Sequence, residues 1–174
     1  PKNPISFGVF ASRPHRMWAF GALASVVAAT SLDKFSVLVL RNLTDSVAAQ
    51  PIIFDKVWFW AISFPFLFLA AHFLWRSSGF TGMRWFMGLR STAYQALYQY
   101  LSLHSKDYFN SRFAGALTNK ISNAVDGTEE LFEEILWRFL QLFIGLILYA
   151  VIASTSSWIL GLIIVMWSIV FLSA

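Results

Sequence analysis

The chain has 174 residues, of which 57% are hydrophobic and 13% are charged, and its net charge is +4 at pH 7. Ordinary soluble domains carry about 25% charged residues, so this composition excludes a soluble globular protein and indicates an integral membrane protein. The lack of cysteine excludes disulfides and thiolate metal sites. A small positive excess is typical of the cytoplasmic flanks of membrane spans, and no nucleic-acid partner is expected.

The first sixteen residues form a cytoplasmic tail that contains a short apolar and aromatic stretch, Ile5 to Ser12. A Pro14-containing basic segment follows it and precedes the first long apolar run. This pattern predicts a helix that lies along the membrane surface before the chain turns into its first span. A disordered tail is the alternative, and the pattern leaves both open.

Four apolar runs predict transmembrane helices at about residues 17–40, 57–75, 135–153 and 158–174. Crossing the hydrocarbon core takes about 20 residues, which the last run does not reach. We therefore expect the chain to stop inside its fourth span and to be a part of a longer protein. The predicted fold class is an all-α membrane protein.

The first span carries two adjacent charged residues, Asp33 and Lys34. Charges at membrane depth are costly and usually face a bundle interior or a water-filled cavity. One interpretation makes both residues candidates for lining a hydrophilic pathway. The alternative, which the sequence favours slightly, places them near the outer interface or pairs them with another helix.

Residues 76–134 are polar, yet they keep a helical rhythm. Apolar residues recur every fourth position in two series: Trp85, Leu89, Ala93, Leu97 and Leu101, and then Leu117, Ile121 and Val125. The rhythm predicts two amphipathic helices that form a hairpin outside the membrane. We expect the first to continue from the second span to about Tyr108, and the turn to run from Asp107 to Gly115.

A cluster of acidic residues and a single histidine have side chains of the types that bind metals. Four acidic residues approach the third span, Glu129, Glu130, Glu133 and Glu134. They are interpreted as a solvated helix surface because no ligand cage accompanies them. His72 has no partner at metal-ligand spacing, so no metal is predicted.

Basic residues give the orientation. Most of them lie in the tail and in residues 76–138, and the two opposite connections contribute only Arg41 and Lys56. The positive-inside tendency therefore predicts a cytoplasmic N-terminus and a cytoplasmic hairpin, in a plasma or bacterial inner membrane.

Two stretches carry a resemblance to a known family. The first is Leu40-Arg41-Asn42-Leu43-Thr44-Asp45, at the end of the first span. The second combines Tyr108-Phe109 with Gly115, Leu117, Lys120 and Ile121, and then Asn123-Ala124-Val125-Asp126. In this order they resemble the N-terminal part of the transmembrane domain of ATP-binding-cassette (ABC) exporters. Ala124 stands where the family usually has aspartate, and Lys120 where it often has arginine.

The resemblance implies a translocation pathway whose first intracellular loop couples the movement of an ATP-binding domain to alternating access. A short transverse helix near Leu117 to Asp126 would contact a nucleotide-binding domain, in cis or in trans. The implied coupling residues are Gly115, Leu117, Lys120, Ile121, Asn123, Val125 and Asp126. A second transporter half, forming a homo- or heterodimer, and membrane lipid are the other implied partners.

The chain contains no G-x-x-x-x-G-K-[ST] phosphate loop, so no catalytic residue is assigned within it. ATP and Mg are expected on a nucleotide-binding domain outside this segment. One alternative is a channel subunit or other non-transporter membrane protein whose cytoplasmic helices bind a partner. An intramembrane enzyme ranks last, because the sequence offers no paired acid, Ser/His arrangement or metal cluster.

Overall fold

The computed structural model describes residues 3–104 and 114–173, and within these ranges it contains helices and no strands. The α-helices are α1 (Pro4–Ser12), α2 (Arg16–Ala48), α3 (Phe54–Ser102), α4 (Ala114–Glu134), α5 (Leu140–Ser154) and α6 (Trp158–Ser173). A 3₁₀ turn at Arg13–His15 joins α1 to α2, and a π-helical turn at Ile135–Phe139 joins α4 to α5. The predicted all-α class is confirmed.

Three helical stretches in the described part of the chain are long and apolar enough to cross a membrane. They are Pro4–Ala48, Phe54–Ser102 and Gly115–Ser154, and a shorter apolar helix, Trp158–Phe171, follows them. These lengths and compositions are compatible with the multi-pass membrane protein that the sequence predicts.

Helix α2 runs further than the sequence predicts. The polar connection was expected to begin at Arg41, yet the helix continues to Ala48. The Thr44 hydroxyl donates to the Leu40 carbonyl at 2.8 Å, and the Ser46 hydroxyl donates to the Asn42 carbonyl at 2.6 Å. Because these polar side chains bond back to the preceding turn, they remain compatible with helical geometry.

Helix α3 is continuous over 49 residues, with Pro65 and the three glycines 79, 82 and 88 inside it. It ends at Ser102, earlier than the predicted Tyr108. The N–H groups of Leu103 and His104 donate to carbonyls three residues earlier, Tyr100 and Leu101, which tightens the last turn. The predicted turn residues 107–113 lie outside the described residues.

The third predicted span does not begin as a separate helix. Helix α4 passes through the π-helical turn Ile135–Phe139 directly into α5, so the chain stays helical from Ala114 to Ser154. A π-helical turn inserts one extra residue into the helical repeat, which shifts the face that the following side chains occupy. The amphipathic helix α4 is thus joined to the apolar helix α5 without a loop.

The chain divides into two compact units. The first comprises the segment that ends at Leu23 and the segment Gly79–Trp137. Its buried apolar side chains come from α1 to α4: Ala11, Ala22, Trp85, Phe86, Leu89, Ala93, Leu117, Ile121, Val125 and Phe132, together with Leu136 of the π-helical turn. These positions include most of the apolar series that the sequence predicts, so the amphipathic pattern does bury one face of each helix.

The second unit comprises Ala24–Ser78 and the chain from Arg138 onward. Here α5 and α6 pack against each other across a short turn, in which the Ser156 N–H donates to the Ala153 carbonyl at 3.1 Å. A Cβ on Gly161 would lie 3.1 Å from the Ala150 carbonyl oxygen and closer still to the Ser154 side chain. The close approach of α5 and α6 therefore favours glycine at this position.

Candidate functional site

The best-defined arrangement of polar and aromatic side chains lies in the first unit, where α3 meets α4. The rings of Trp85 and Phe132 pack edge to face with centroids 5.9 Å apart. Phe86 contacts Trp137 in the same way, at 5.4 Å. Leu89 and Val125 are completely buried in the same unit. The predicted polar section is thus a helical hairpin with an apolar core of its own.

An arginine on α3 joins the two helices of the hairpin. Arg90 donates from Nη1 to the Glu129 carboxylate and from Nη2 to the Asp126 carboxylate, the latter at 2.8 Å. Tyr94 and Ser122 extend the set, with their hydroxyl oxygens 3.2 Å apart. The Ser122 hydroxyl also donates to Asp126 at 3.3 Å. We call these five residues the Arg90 network.

The Arg90 network gives α3 and α4 a fixed register. Hydrogen bonds to ionised groups are stronger than neutral ones, and a guanidinium fork constrains direction as well as distance. Arg90 and Asp126 are partly open to solvent, which weakens their attraction, but Glu129 is only 21% exposed. The network therefore acts mainly by orienting the two helices rather than by adding large stability.

The interpretation of the acidic residues as a solvated surface is wrong for Glu129. This side chain is half-buried and bonded to Arg90, and Glu133 and Glu134 are half-buried as well. Only Glu130 is exposed among the four. Spacing along one helix could not reveal this, because the cation that pairs with Glu129 is 39 residues away on another helix.

Helix α1 packs on the same hairpin. The Trp85 indole N–H donates to the Ser12 hydroxyl at 3.0 Å, and His15 shares a hydrogen bond with Thr92 at 3.2 Å. A Cβ on Gly88 would come within 2.5 Å of the His15 ring, so only glycine leaves room for the imidazole. The helix predicted at residues 5–12 is present as α1, and the alternative of a disordered tail is not. Its predicted position along the membrane surface stays a prediction.

Two more glycines in this unit receive aromatic rings. A Cβ on Gly8 would fall inside the contact distance of the Phe132 ring, and one on Gly82 would lie 2.8 Å from Trp137. With Gly88 and His15, each of these pairs joins two different segments of the unit. We call these three pairs the ring–glycine contacts. Together they bring the backbones of α1, α3 and α4 close together in this unit.

The predicted coupling residues separate into two sets. Leu117, Ile121 and Val125 are buried in the hairpin core. Gly115, Lys120, Asn123 and Asp126 are exposed on α4. The two sets alternate because α4 is amphipathic.

The local geometry differs from two predictions. Leu117 to Asp126 lie within the continuous 21-residue helix α4 and not in a separate short transverse helix. Gly115, expected in a turn, is helical and has no positive φ, and a Cβ there would meet nothing within 4 Å. Leu117, Ile121 and Val125 bury one face of α4 in a single helical repeat, so the pattern contains no break at which a separate short helix would begin.

Asp33 and Lys34, the candidate cavity residues, each have a partner in the second unit. The Trp75 indole N–H donates to Asp33 Oδ2 at 2.8 Å, and Lys34 Nζ lies 4.8 Å from the centre of the Tyr149 ring. The two side chains thus point to different helices, α3 and α5. Both are half-buried, which fits the alternative of pairing with another helix.

No group of three or more potential metal ligands occurs in residues 3–104 and 114–173. The strongest polar cluster, the Arg90 network, contains a permanent cation between its two carboxylates and so offers no cation site. Its chemistry is that of a structural contact and not of a catalytic centre.

Comparison with known proteins gives no match to this sequence or structure among family models, curated proteins or solved structures.

Proposed function

We propose that this chain is part of the transmembrane domain of an ATP-driven exporter, in which the α3–α4 hairpin couples an ATP-binding domain to the membrane helices. The observation that carries the proposal is the hairpin itself, which has a buried apolar core and the Arg90 network. A connection that merely returns the chain to the membrane takes a few residues and needs no core.

The hairpin has the mechanical properties that coupling requires. A displacement applied to α4 near Lys120 would also move α3, because Arg90 holds the two helices in register. The displacement would pass into α5 because no loop separates it from α4. Packed helices transmit movement as rigid elements, whereas loops absorb it.

The exposed coupling residues supply the surface for the nucleotide-binding domain. Lys120, Asn123 and Asp126 offer a cation, an amide and a carboxylate on α4. Leu117, Ile121 and Val125 are buried on the other face of α4 and anchor this surface to the hairpin core. In this proposal ATP and Mg bind on the nucleotide-binding domain, a second transporter half completes the pathway, and the N-terminus and the hairpin are cytoplasmic.

The experiment is site-specific cross-linking in the complete protein, assembled with its nucleotide-binding domain in vesicles. These 174 residues contain no cysteine, so a Lys120→Cys thiol is unique among them once any cysteine in the rest of the complete protein has been replaced. We expect this thiol to cross-link to the nucleotide-binding domain with a yield that changes when ATP is added. Glu130→Cys is the matched control, since it is exposed on the same helix but lies outside the segment of resemblance.

Two results would contradict the proposal. One is equal cross-linking from Lys120→Cys and Glu130→Cys regardless of ATP. The other is solute or ion flux through the reconstituted protein that needs no ATP, which would favour the channel-subunit alternative. ATP-dependent uptake of a candidate cargo, together with a Lys120-specific cross-link, supports the exporter.

A further inference from the structure

A second arrangement in the first unit takes no part in the hairpin contacts. The Arg84 guanidinium lies over two aromatic rings, 5.1 Å from the centre of Trp18 and 4.9 Å from the centre of Phe80. The two rings meet edge to face at 6.2 Å. All three side chains are exposed, Trp18 by 36% and Phe80 by 57%. We call these three residues the Arg84 cluster.

The rings hold Arg84 in place without using up its hydrogen bonds. A cation–π contact engages the flat face of the guanidinium, and the five N–H donors lie at its edge. No carboxylate forms a salt bridge with Arg84 in the part of the chain that the structure describes. The cluster therefore presents a fixed fork of donors, which is the geometry that binds a phosphate through two hydrogen bonds.

The position of the cluster along the predicted spans identifies the source of that phosphate. The sequence predicts that the first span starts near Met17 and that the second ends near Trp75. Trp18 contacts Phe80, and Gly21 lies opposite Thr81. Trp18 therefore lies at the predicted start of the first span, and Phe80 lies five residues beyond the predicted end of the second. This places the cluster in the interfacial region next to the lipid headgroups, where tryptophan is enriched.

The surroundings of the cluster also match a lipid better than a soluble phosphate. Exposed apolar side chains flank it in the sequence: Met17 is 79% exposed, Phe20 is 72% exposed and Met83 is 62% exposed. Arg13 and Arg16 are exposed just before Trp18 and add positive charge. An anionic phospholipid offers a partner for both features, since its phosphate meets the cations and its acyl chains meet the apolar side chains.

We propose that the Arg84 cluster binds the phosphate group of an anionic phospholipid at the membrane surface. The guanidinium edge donates to the phosphate oxygens, Trp18 and Phe80 fix the guanidinium, and the neighbouring apolar side chains contact the acyl chains. The site depends on the protein lying in a membrane and does not depend on the transport proposal.

The test is a lipid-retention measurement on the purified protein in bilayer discs of phosphatidylcholine with a minority of phosphatidylglycerol, read by native mass spectrometry. We expect the wild type to retain phosphatidylglycerol in preference to phosphatidylcholine. Arg84→Gln should reduce that preference about fivefold, the factor that corresponds to removing one arginine from an anionic surface. Arg84→Lys, which keeps the charge but loses the fork, should fall between the two.

Lys56→Gln is the matched control, because it removes one exposed positive charge from the opposite predicted side. It should leave the preference unchanged. Helix content by circular dichroism checks that each variant is folded. Equal preference in wild type, Arg84→Gln and Arg84→Lys would overturn the proposal, as would an equal loss in Lys56→Gln.

A final arm separates lipid from free phosphate. Excess inorganic phosphate is added to the wild type before the measurement. If the headgroup and acyl chains both contribute, phosphatidylglycerol stays bound. Complete displacement by inorganic phosphate would show that the site takes the free ion, and the lipid proposal would then be wrong.

Discussion

Each of the two compact units is stabilised internally by a different kind of contact. The first unit buries large side chains such as Trp85, Phe86 and Leu136, and it adds the Arg90 network and the ring–glycine contacts. The second unit buries mostly small residues, such as Ala29 and Ala71, and leaves its large apolar side chains exposed. Its helices meet instead through single polar contacts and the close approach at Gly161.

This difference follows from the surroundings that each unit is predicted to have. In water, burying apolar surface drives helices together, at roughly 25 cal/mol per Å². In lipid that drive is absent, because acyl chains are as apolar as leucine, and helices associate through small residues and interhelical hydrogen bonds. The α3–α4 hairpin of the first unit is built as a water-exposed domain would be, and the second unit as a membrane bundle would be.

The largest effect that tests this comparison is expected at Gly88 in the first unit. Gly88→Ala places a Cβ within 2.5 Å of the His15 ring, and the clash includes Cγ, the ring atom attached to the His15 Cβ. The whole ring must therefore move, and it loses its hydrogen bond to Thr92. Forcing extra atoms into a packed contact costs about 1–3 kcal/mol. We therefore expect a lower free energy of unfolding, measured by chemical unfolding in detergent micelles.

Gly79→Ala is the control for Gly88→Ala, because it lies on the same helix and its Cβ would meet nothing within 4 Å. Both variants gain the same helix propensity, up to about 1 kcal/mol. The difference between them therefore isolates the clash with His15. Equal stability of the two variants would mean that the His15 ring does not pack against Gly88.

The contact between His15 and Gly88 also shows what the sequence could and could not predict. The helix at residues 5–12 and the apolar series from Trp85 to Leu101 follow from local patterns, because period and polarity are properties of neighbouring residues. The pairing of His15 with Gly88 joins positions 73 apart. No local pattern carries that information, since it depends on which helix faces which.

The same limit applies to the candidate site. The buried positions of Leu117, Ile121 and Val125 were predictable from their spacing, and the structure buries all three. The pairing of Arg90 with Glu129 was not, and the sequence predicted a solvated Glu129. The end of α2 was misplaced for another reason, since Thr44 and Ser46 satisfy their hydroxyls within the helix where polarity suggested a loop.

A smaller effect is expected in the second unit at Trp75. Trp75→Phe keeps an aromatic ring but removes the indole N–H that donates to Asp33. Interhelical hydrogen bonds in membrane proteins contribute about 0.6 kcal/mol on average and about 1.7 kcal/mol at most. We expect the free energy of unfolding, measured in the same micelles, to decrease by an amount within that range.

Trp58→Phe serves as the control for Trp75→Phe, because Trp58 lies on the same helix and is 66% exposed. Its effect should be close to zero. If Trp75→Phe is as stable as Trp58→Phe, Asp33 is not held by this contact. Its carboxylate would then again be a candidate for a hydrophilic pathway, which an Asp33→Cys variant tests by its reactivity towards aqueous thiol reagents in each transport state.

The smallest effect on stability, and the sharpest on function, is expected at Gly115. Gly115→Ala adds a Cβ into open space at a helical position, so the hairpin should unfold at the same or slightly higher denaturant concentration. The exporter proposal nevertheless predicts less transport per ATP hydrolysed, because the added methyl group changes the surface that would contact the nucleotide-binding domain. Measured together in vesicles, unchanged stability with a lower transport-to-hydrolysis ratio separates a partner contact from a folding defect. Unchanged stability with an unchanged ratio would remove Gly115 from the coupling surface and leave Lys120, Asn123 and Asp126 to define it.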